Sequence, residues 1–585
     1  MRLVRITRWA FTPAAFCLAI LALGSGCTRR VSVYEPSHLQ AALSYRIALR
    51  PTSHGPELDV DLEFRGSSTG TTRVLLPDRW ASATQYYQMI RGPRVLNEGA
   101  TITADSPASR LIQHRPNERL KLRYRVATRQ SLRMIDPYAY FWPLIRGSYL
   151  HFFGHGVFVV PADDGKVRRT IELEWVLPRD WTVANSFAVN QRRQRFLATR
   201  GALRHAIYVA GDFRLYRRDV KGGPVWVALR DQWAFRDAEL VDTVSRVVTA
   251  ERDFFGDYRF PHFLVTLLKG TARCCSYGGS GVRNGFALFV STDRGIDGRM
   301  RWILAHELFH TWNGRRIRRQ QPEQLVYWFS EGVTDYYARL LLLRRGLMGF
   351  GQYLRHLNRA IRDYYSSPAR NLSNRVVQDR FWSDEDVSRL PYRRGDLLAH
   401  RWNARIKRAT NGRHSFDDVM RDLLREAQTK GTVVSKASLD RLVRRYLPRG
   451  IARDIERFVE SGETIPLVPN ALGHCAELTF IDHVKFEPGF DLSRSKRRRE
   501  VTGLRHDSPA YVAGLRNGQR IVGWDLHGRR TDVELKIQIH DQYGKRWIGF
   551  LPGGETVRVP QYRLKASLKG GRLDSCAADL GFVRR

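Results

Sequence analysis

His306-Glu307-Leu308-Phe309-His310 sets two imidazoles four residues apart. On a helix such a pair shares one face, so both rings can reach a single metal ion. Glu307, one residue past the first imidazole, is placed to take the proton of a water beside that metal. Glu331, in Trp328-Phe329-Ser330-Glu331-Gly332, would add a carboxylate oxygen to the two nitrogens. A three-ligand set leaves the fourth zinc position open, which suits catalysis rather than a structural role. The implied chemistry is hydrolysis by metal-activated water, with one Zn2+ per chain and a peptide bond as the expected target. Trp302-Ile303-Leu304-Ala305 makes the start of the motif apolar, so its His and Glu side chains are expected to be buried. Buried polar groups need partners, and a metal is one.

The motif continues as Thr311-Trp312-Asn313-Gly314-Arg315-Arg316-Ile317-Arg318, and Glu331 is followed by Gly332-Val333-Thr334-Asp335-Tyr336-Tyr337. This pair of segments resembles the glycyl aminopeptidase family, which reads His-Glu-x-x-His-x-Trp-Asn-x-Lys-Arg and then Trp-Phe-x-Glu-Gly-Phe-Thr-x-Tyr-Tyr. The resemblance implies a multidomain α+β protein. Its parts would be an N-terminal β-rich, sandwich-like domain, a mostly helical thermolysin-like zinc peptidase domain and a C-terminal PDZ-like domain. It also implies that Asp335, four residues past the third ligand, accepts the N–H of a zinc-binding histidine. Leu390-Pro391-Tyr392-Arg393-Arg394-Gly395 resembles the family's Tyr-x-Lys-Gly segment, with Arg394 in place of the lysine. By that likeness Tyr392 donates to the oxygen on which negative charge develops; Tyr336, Tyr337 and Tyr364 are rivals for the role.

The clearest departure lies in the glycine-rich run Tyr277 to Gly285. Family members carry Gly-Gly-x-Glu-His there, and the Glu is expected to hold a substrate's free amino terminus. Here Gly279-Ser280-Gly281-Val282-Arg283-Asn284 has no acid, and an arginine repels an ammonium group. The expected activity is therefore peptidase action without strict aminopeptidase specificity. The alternative from another class is a catalytically impaired, exported scaffold that binds peptides through its C-terminal module. The four arginines Arg315, Arg316, Arg318 and Arg319 read first as cations favoured at a helix C-terminus, and the family resemblance adds a second reading in which one of them steadies the site or a substrate carboxylate.

The elements that must position these residues follow from periodicity. From about residue 29 to 216 the chain alternates at period two, as in Leu58-Asp59-Val60-Asp61-Leu62-Glu63-Phe64, which argues half-buried strands. His151, His155 and the Tyr138–Trp142 aromatic cluster read as packing there. Gly222-Gly223-Pro224 marks a boundary. Asp237 to Phe255 then reads as a helix, Phe263 to Leu268 as a buried strand, Tyr277 to Gly285 as a loop and Phe286 to Ser291 as a strand. Beyond Glu331, Asp335 to Arg345 reads as a helix. Ser508-Pro509-Ala510 starts a short helix that Gly514 ends, before a strand at Ile521 to Trp524. That order resembles bacterial PDZ modules, with Gly489-Phe490-Asp491-Leu492 as the carboxylate-binding loop and a C-terminal peptide as the expected ligand. The expected domains are residues 1–27, 28–220, 221–465 and 470–585.

The first 27 residues read as a lipoprotein-type signal peptide, with Arg2, Arg5 and Arg8 ahead of an apolar run and Leu23-Gly24-Ser25-Gly26-Cys27 at its end. A lipid on Cys27 would anchor an exported, periplasmic or cell-envelope protein to a membrane. Export permits disulfides, and Cys475 with Cys576 flanks the C-terminal module as a pair able to close its ends. A net charge of +39 over 585 residues suggests nucleic acid at first sight. Export and the lack of any nucleic-acid module exclude it. Attraction to anionic surfaces and an arginine-favouring composition both remain as explanations.

Overall fold

In the strand Glu57–Arg65, Leu58, Val60, Leu62 and Phe64 are buried, while the acids between them face outward and pair with arginines across the sheet. This alternation builds the N-terminal β-rich part. The computed structural model describes residues 43–585 except 81–83, 129–140, 164, 166, 271–276, 291–294, 569–572 and 582–585. The expected signal segment, Cys27, Cys274, Cys275 and most of the 138–142 aromatic cluster lie outside the described residues. No helix among the described residues is long and apolar enough to cross a membrane.

Glu57–Arg65 belongs to a six-stranded sheet in the order Arg193–Ala198, Arg169–Val176, Leu43–Arg50, Glu57–Arg65, Arg119–Ala127, Ile90–Val95. Two four-stranded sheets complete this β-rich part. Their inner faces share one apolar core, whose aromatic members include Tyr45, Tyr124, Phe158 and Tyr208. His151 is fully buried and meets Thr266 at 3.2 Å, and the His155 ring stacks on Trp80. Both histidines therefore pack.

The next sheet has five strands in the order Arg214–Arg218, Val225–Leu229, Phe263–Lys269, Gly285–Val290, Tyr277–Val282. Two expectations change here. Gly222-Gly223, expected at a boundary, is a tight hairpin turn between two strands of this one sheet, with φ of 90° and 117°. A β-carbon on Gly222 would lie 2.7 Å from the Tyr258 carbonyl oxygen, so the position needs glycine. Arg214–Arg218, before that turn, is accordingly a strand of this five-stranded sheet. The glycine-rich run, expected as a loop, is itself the edge strand; Gly285–Val290 lies inside the sheet, between it and Phe263–Lys269.

Helix Asp237–Phe255 packs Leu240, Val241, Val244 and Val248 into the core beside this sheet, over the span that its periodicity predicts. Further helices follow, among them Phe350–Tyr365, Glu385–Ala409 and Phe416–Lys430. In the C-terminal region a long hairpin-like pair, Ala476–Phe486 with Gly553–Leu564, carries a three-stranded sheet of Arg520–Asp525, Leu535–Asp541 and Gly544–Phe550. Ser508 Oγ accepts from the Tyr511 N–H and Pro509 opens the short helix, as the sequence indicates. This region has a small core of its own, including Phe490, Val501, Leu515 and Ile537. Cys475 and Cys576 form a disulfide with Cα atoms 5.6 Å apart. Both cysteines, with Ala577 and Leu580, pack into the core of the helical domain, so the chain returns to that domain at its end.

Candidate metal centre

The helix Gly298–Phe309 begins where Asp297 accepts a hydrogen bond from the Met300 N–H at 2.8 Å. Met300, Leu304, Ala305 and Leu308 turn into the core, which fixes the rotation of the helix and brings His306 and His310 to its other side. Their Nε2 atoms lie 3.1 Å apart. Glu331 Oε2 is 3.5 Å from the first and 3.2 Å from the second. A tetrahedral ion with bonds of about 2.0–2.1 Å would require ligand separations of about 3.3 Å. The triangle has that size.

The orientation of each ligand is fixed from behind. His306 Nδ1 is 2.8 Å from Asp335 Oδ1, and His310 Nδ1 is 3.0 Å from the Asn313 carbonyl oxygen. Both acceptors require a proton on Nδ1, which leaves the Nε2 lone pairs aimed at one point. Ser330 Oγ donates to Glu331 Oε1 at 3.2 Å and Arg319 lies 3.7 Å from that oxygen, turning Oε2 toward the histidines. Two imidazole lone pairs and a carboxylate oxygen so close together demand a shared cation. In its absence that need falls on protons. Burial pulls the His306 pKa down, yet its hydrogen bonds to Asp335 and Glu331 outweigh this and carry it up to about 10. Glu331 is disfavoured as an anion by burial, and the charge of His310 and its bonds to both imidazoles bring it well below the usual carboxylate range. The donor set fits zinc.

Glu331 reaches this point through a π-helical turn, Trp328–Val333, that leads into the helix Thr334–Arg344. Such a turn interrupts the regular ladder of backbone bonds, and π-turns recur at functional sites. Asn313 Nδ2 compensates, donating toward the carbonyl oxygens of Phe329 and Ser330 at 3.2 and 3.3 Å and to Thr334 Oγ1 at 3.1 Å. One side chain thus links the turn carrying Glu331 to the residue orienting His310. Sequence reasoning did not assign Asn313 a role; its place three residues past His310 was the available signal. Gly332 and Gly395 bring two helix backbones together, and a β-carbon on Gly395 would overlap the Trp328 carbonyl oxygen. This contact sets Tyr392, one turn before Gly395 on the helix Glu385–Ala409, against the site.

The Tyr392 ring lies 6.1 Å from that of His306, nearly parallel to it. Its hydroxyl makes no hydrogen bond with a described residue. Burial, then the charges of Glu331, Asp335 and Glu307, push its pKa far above the ordinary phenol value, so it stays an O–H donor. Of its rivals, Tyr337 donates to Asp417 at 3.1 Å and the Tyr364 hydroxyl accepts from the Ile465 N–H at 3.1 Å, both within the core. Tyr336 is 1% exposed, between Tyr337 and His400.

Glu307 lies under the edge strand: a β-carbon on Gly279 would meet its Cγ at 3.1 Å. The strand's outer edge pairs with no other described strand. The arginines after the motif do not act as a group at the helix end. Arg316 pairs with Asp257 at 2.6 Å and Arg319 with Glu323 at 3.1 Å. Burial draws the Arg315 pKa down to about 9, with the charge of Glu307 opposing this and that of Arg319 adding to it. Arg393 joins the site from behind, 3.3 Å from both Asp335 and Asp363.

Comparison with known proteins meets these residues directly. The matching family model is that of the M61 glycyl aminopeptidases, over residues 299–383. That stretch holds His306, Glu307, His310, Glu331 and Asp335, and stops short of Tyr392. No functionally curated protein matches this chain by sequence. Among solved structures, the chain is similar to an aminopeptidase N family protein from Idiomarina loihiensis, with a TM-score of 0.69 and 16% identity over 92% of this chain and 100% of that one. An M1 zinc metallopeptidase mutant from Deinococcus radiodurans, bound to a Tyr-Ser-Ala substrate, aligns with a TM-score of 0.47 and 19% identity over 73% of this chain and 96% of that one. At 16% identity the first likeness is one of fold: a multidomain α+β chain with a β-rich N-terminal part and a helical part.

The histidine–carboxylate pair makes a specific prediction. Asp335→Asn should weaken zinc binding by about 10–100-fold, since the bond orienting His306 loses its charge. Competition with a chromogenic chelator measures this, and unchanged affinity would remove Asp335 from the site.

Proposed function

We propose that this chain is a zinc-dependent peptidase that hydrolyses peptide bonds with an activated water. The observation that supports the reading best is the triangle of His306 Nε2, His310 Nε2 and Glu331 Oε2 beside Glu307, beneath an open strand edge. Zinc held there would supply a Lewis acid, polarising the scissile carbonyl and making water acidic enough to attack. A peptide would add to the outer edge of Tyr277–Val282, its backbone bonds aligning the scissile group with the motif helix. Glu307 takes the proton of the attacking water and passes it to the departing amine. Tyr392 donates its hydroxyl proton in a hydrogen bond to the oxygen on which charge develops.

The edge strand also bears on specificity. From Tyr277 to Val282 it carries no acid able to hold a free amino terminus. We infer that an N-acetylated peptide is cleaved at least as well as its free-amine twin. The C-terminal module would serve as a PDZ-like site for a peptide carboxylate, and the N-terminal segment as an export signal with a lipid on Cys27.

The test is a mixed peptide library digested by the zinc-loaded protein and read by mass spectrometry. Cleavage that a chelator abolishes and zinc restores is expected; bound zinc with no cleaved peptide would favour the scaffold. Tyr392→Phe isolates the donor. It should lower kcat by about 10²-fold, the usual scale for losing one oxyanion donor, with little change in KM. An unchanged kcat would make Tyr392 a packing residue.

A further inference from the structure

Arg315 is a half-buried cation whose guanidinium makes no ion pair, although the charge of Glu307 lies near enough to favour its charged form. Its Nη1 is shielded from solvent and makes no hydrogen bond, and no described residue forms an ion pair with its guanidinium. Leaving such a group unpaired inside a protein is costly, so a partner supplied from outside is the physical expectation. Of the other three arginines, Arg316 pairs with Asp257 and Arg319 with Glu323, while Arg318 is exposed to solvent.

Its position is specific. A β-carbon on Gly281 would lie 2.7 Å from Arg315 Nη2 and 3.3 Å from the Glu307 carbonyl oxygen. Any side chain at 281 would therefore displace the guanidinium; Gly281 and Arg315 are complementary. Gly279 and Gly281 face the motif helix from the same side of the strand, since strand residues alternate. Gly279 meets the proton-transferring Glu307, and Gly281, roughly 7 Å further along, meets the arginine. A peptide added to this edge would pass both.

We propose that Arg315 is the specificity-determining cation of this site and binds a carboxylate of the substrate, about one dipeptide step from the residue that faces Glu307. At neutral pH the guanidinium stays charged, and it presents a planar fork of donors matched to a carboxylate. The favoured substrate is then an acidic peptide rather than one read by its amino terminus. This inference rests on the peptidase reading, and the experiment separates the two.

Three matched peptide pairs, each differing by one carboxylate, distinguish its source. They are N-succinyl against N-acetyl, Glu against Gln near the cleaved bond, and a free against an amidated C-terminus. With the zinc-loaded wild-type protein, at least one pair should favour the carboxylate form by about tenfold or more in KM, as charge-assisted bonds generally do. Arg315→Gln should bring that ratio close to one, and Arg315→Lys should keep part of it. If Arg315 only steadied Glu307, kcat would fall equally for both members of every pair and the ratio would stay. That result overturns the proposal. The same pairs titrated calorimetrically against the zinc-loaded Glu307→Ala protein give a readout independent of turnover. A carboxylate preference in binding without wild-type cleavage would sink the peptidase reading and leave Arg315 standing. Cleavage with no preference in any pair would sink the Arg315 site alone.

Discussion

Glu307→Gln is expected to lower kcat by about 10²–10⁴-fold, the range for losing a positioned general acid–base, while zinc content stays at the wild-type level. The two halves of that outcome follow from separate features of the site. The triangle that fits a metal is built from His306, His310 and Glu331, and Glu307 is not a member. Its side chain instead lies against the face of Gly279, beside the edge to which a strand would add. The amide of glutamine keeps the shape and removes the basic oxygen, so binding of peptide should change little. Zinc analysis beside steady-state kinetics checks it. Loss of zinc together with activity would mean that Glu307 is a ligand, and retained activity would mean that another group moves the proton.

The second large effect concerns stability. Arg339 on the helix Thr334–Arg344 and Asp396 on the helix Glu385–Ala409 form a two-pronged pair at 2.7 and 2.8 Å, with side chains 3% and 1% exposed. The guanidinium also lies 5.2 Å from the centre of the Tyr353 ring. These are the helices that continue Glu331 and carry Tyr392, so the pair pins together two parts of the site. Asp396→Ala would strand a buried positive charge and should cost about 3–5 kcal/mol. Replacing both partners, Arg339→Met with Asp396→Leu, should recover most of that loss, because neither charge then needs a partner. Urea unfolding measures both; a single variant as stable as wild type would show that the pair is not what holds the helices.

The approach of His306 to His310 is legible in the sequence because their spacing becomes geometry on any helix. Asp237–Phe255 is legible for the same reason, its apolar positions recurring at the helical period. What escapes is whatever depends on contacts between distant segments. Tyr277–Val282 reads as a loop since glycine has little strand propensity; its pairing with Gly285–Val290 overrides that. Gly222-Gly223 reads as a boundary, and only the nearby carbonyls of Tyr258 and Phe260 reveal a packed turn. Asn313 has no visible task until the π-turn leaves two carbonyl groups for it to meet. Arg315 looks like one of several helix-end cations until Arg316 and Arg319 are seen to be paired and it is not.

The central claim is that His306, His310 and Glu331 hold one zinc ion. The X-ray absorption spectrum of the zinc-loaded protein tests it most directly. A first shell of nitrogen and oxygen at about 2.0–2.1 Å, with outer-shell scattering from two imidazoles and no sulfur, is the result predicted. Sulfur at about 2.3 Å, or a protein that retains no zinc, would contradict it.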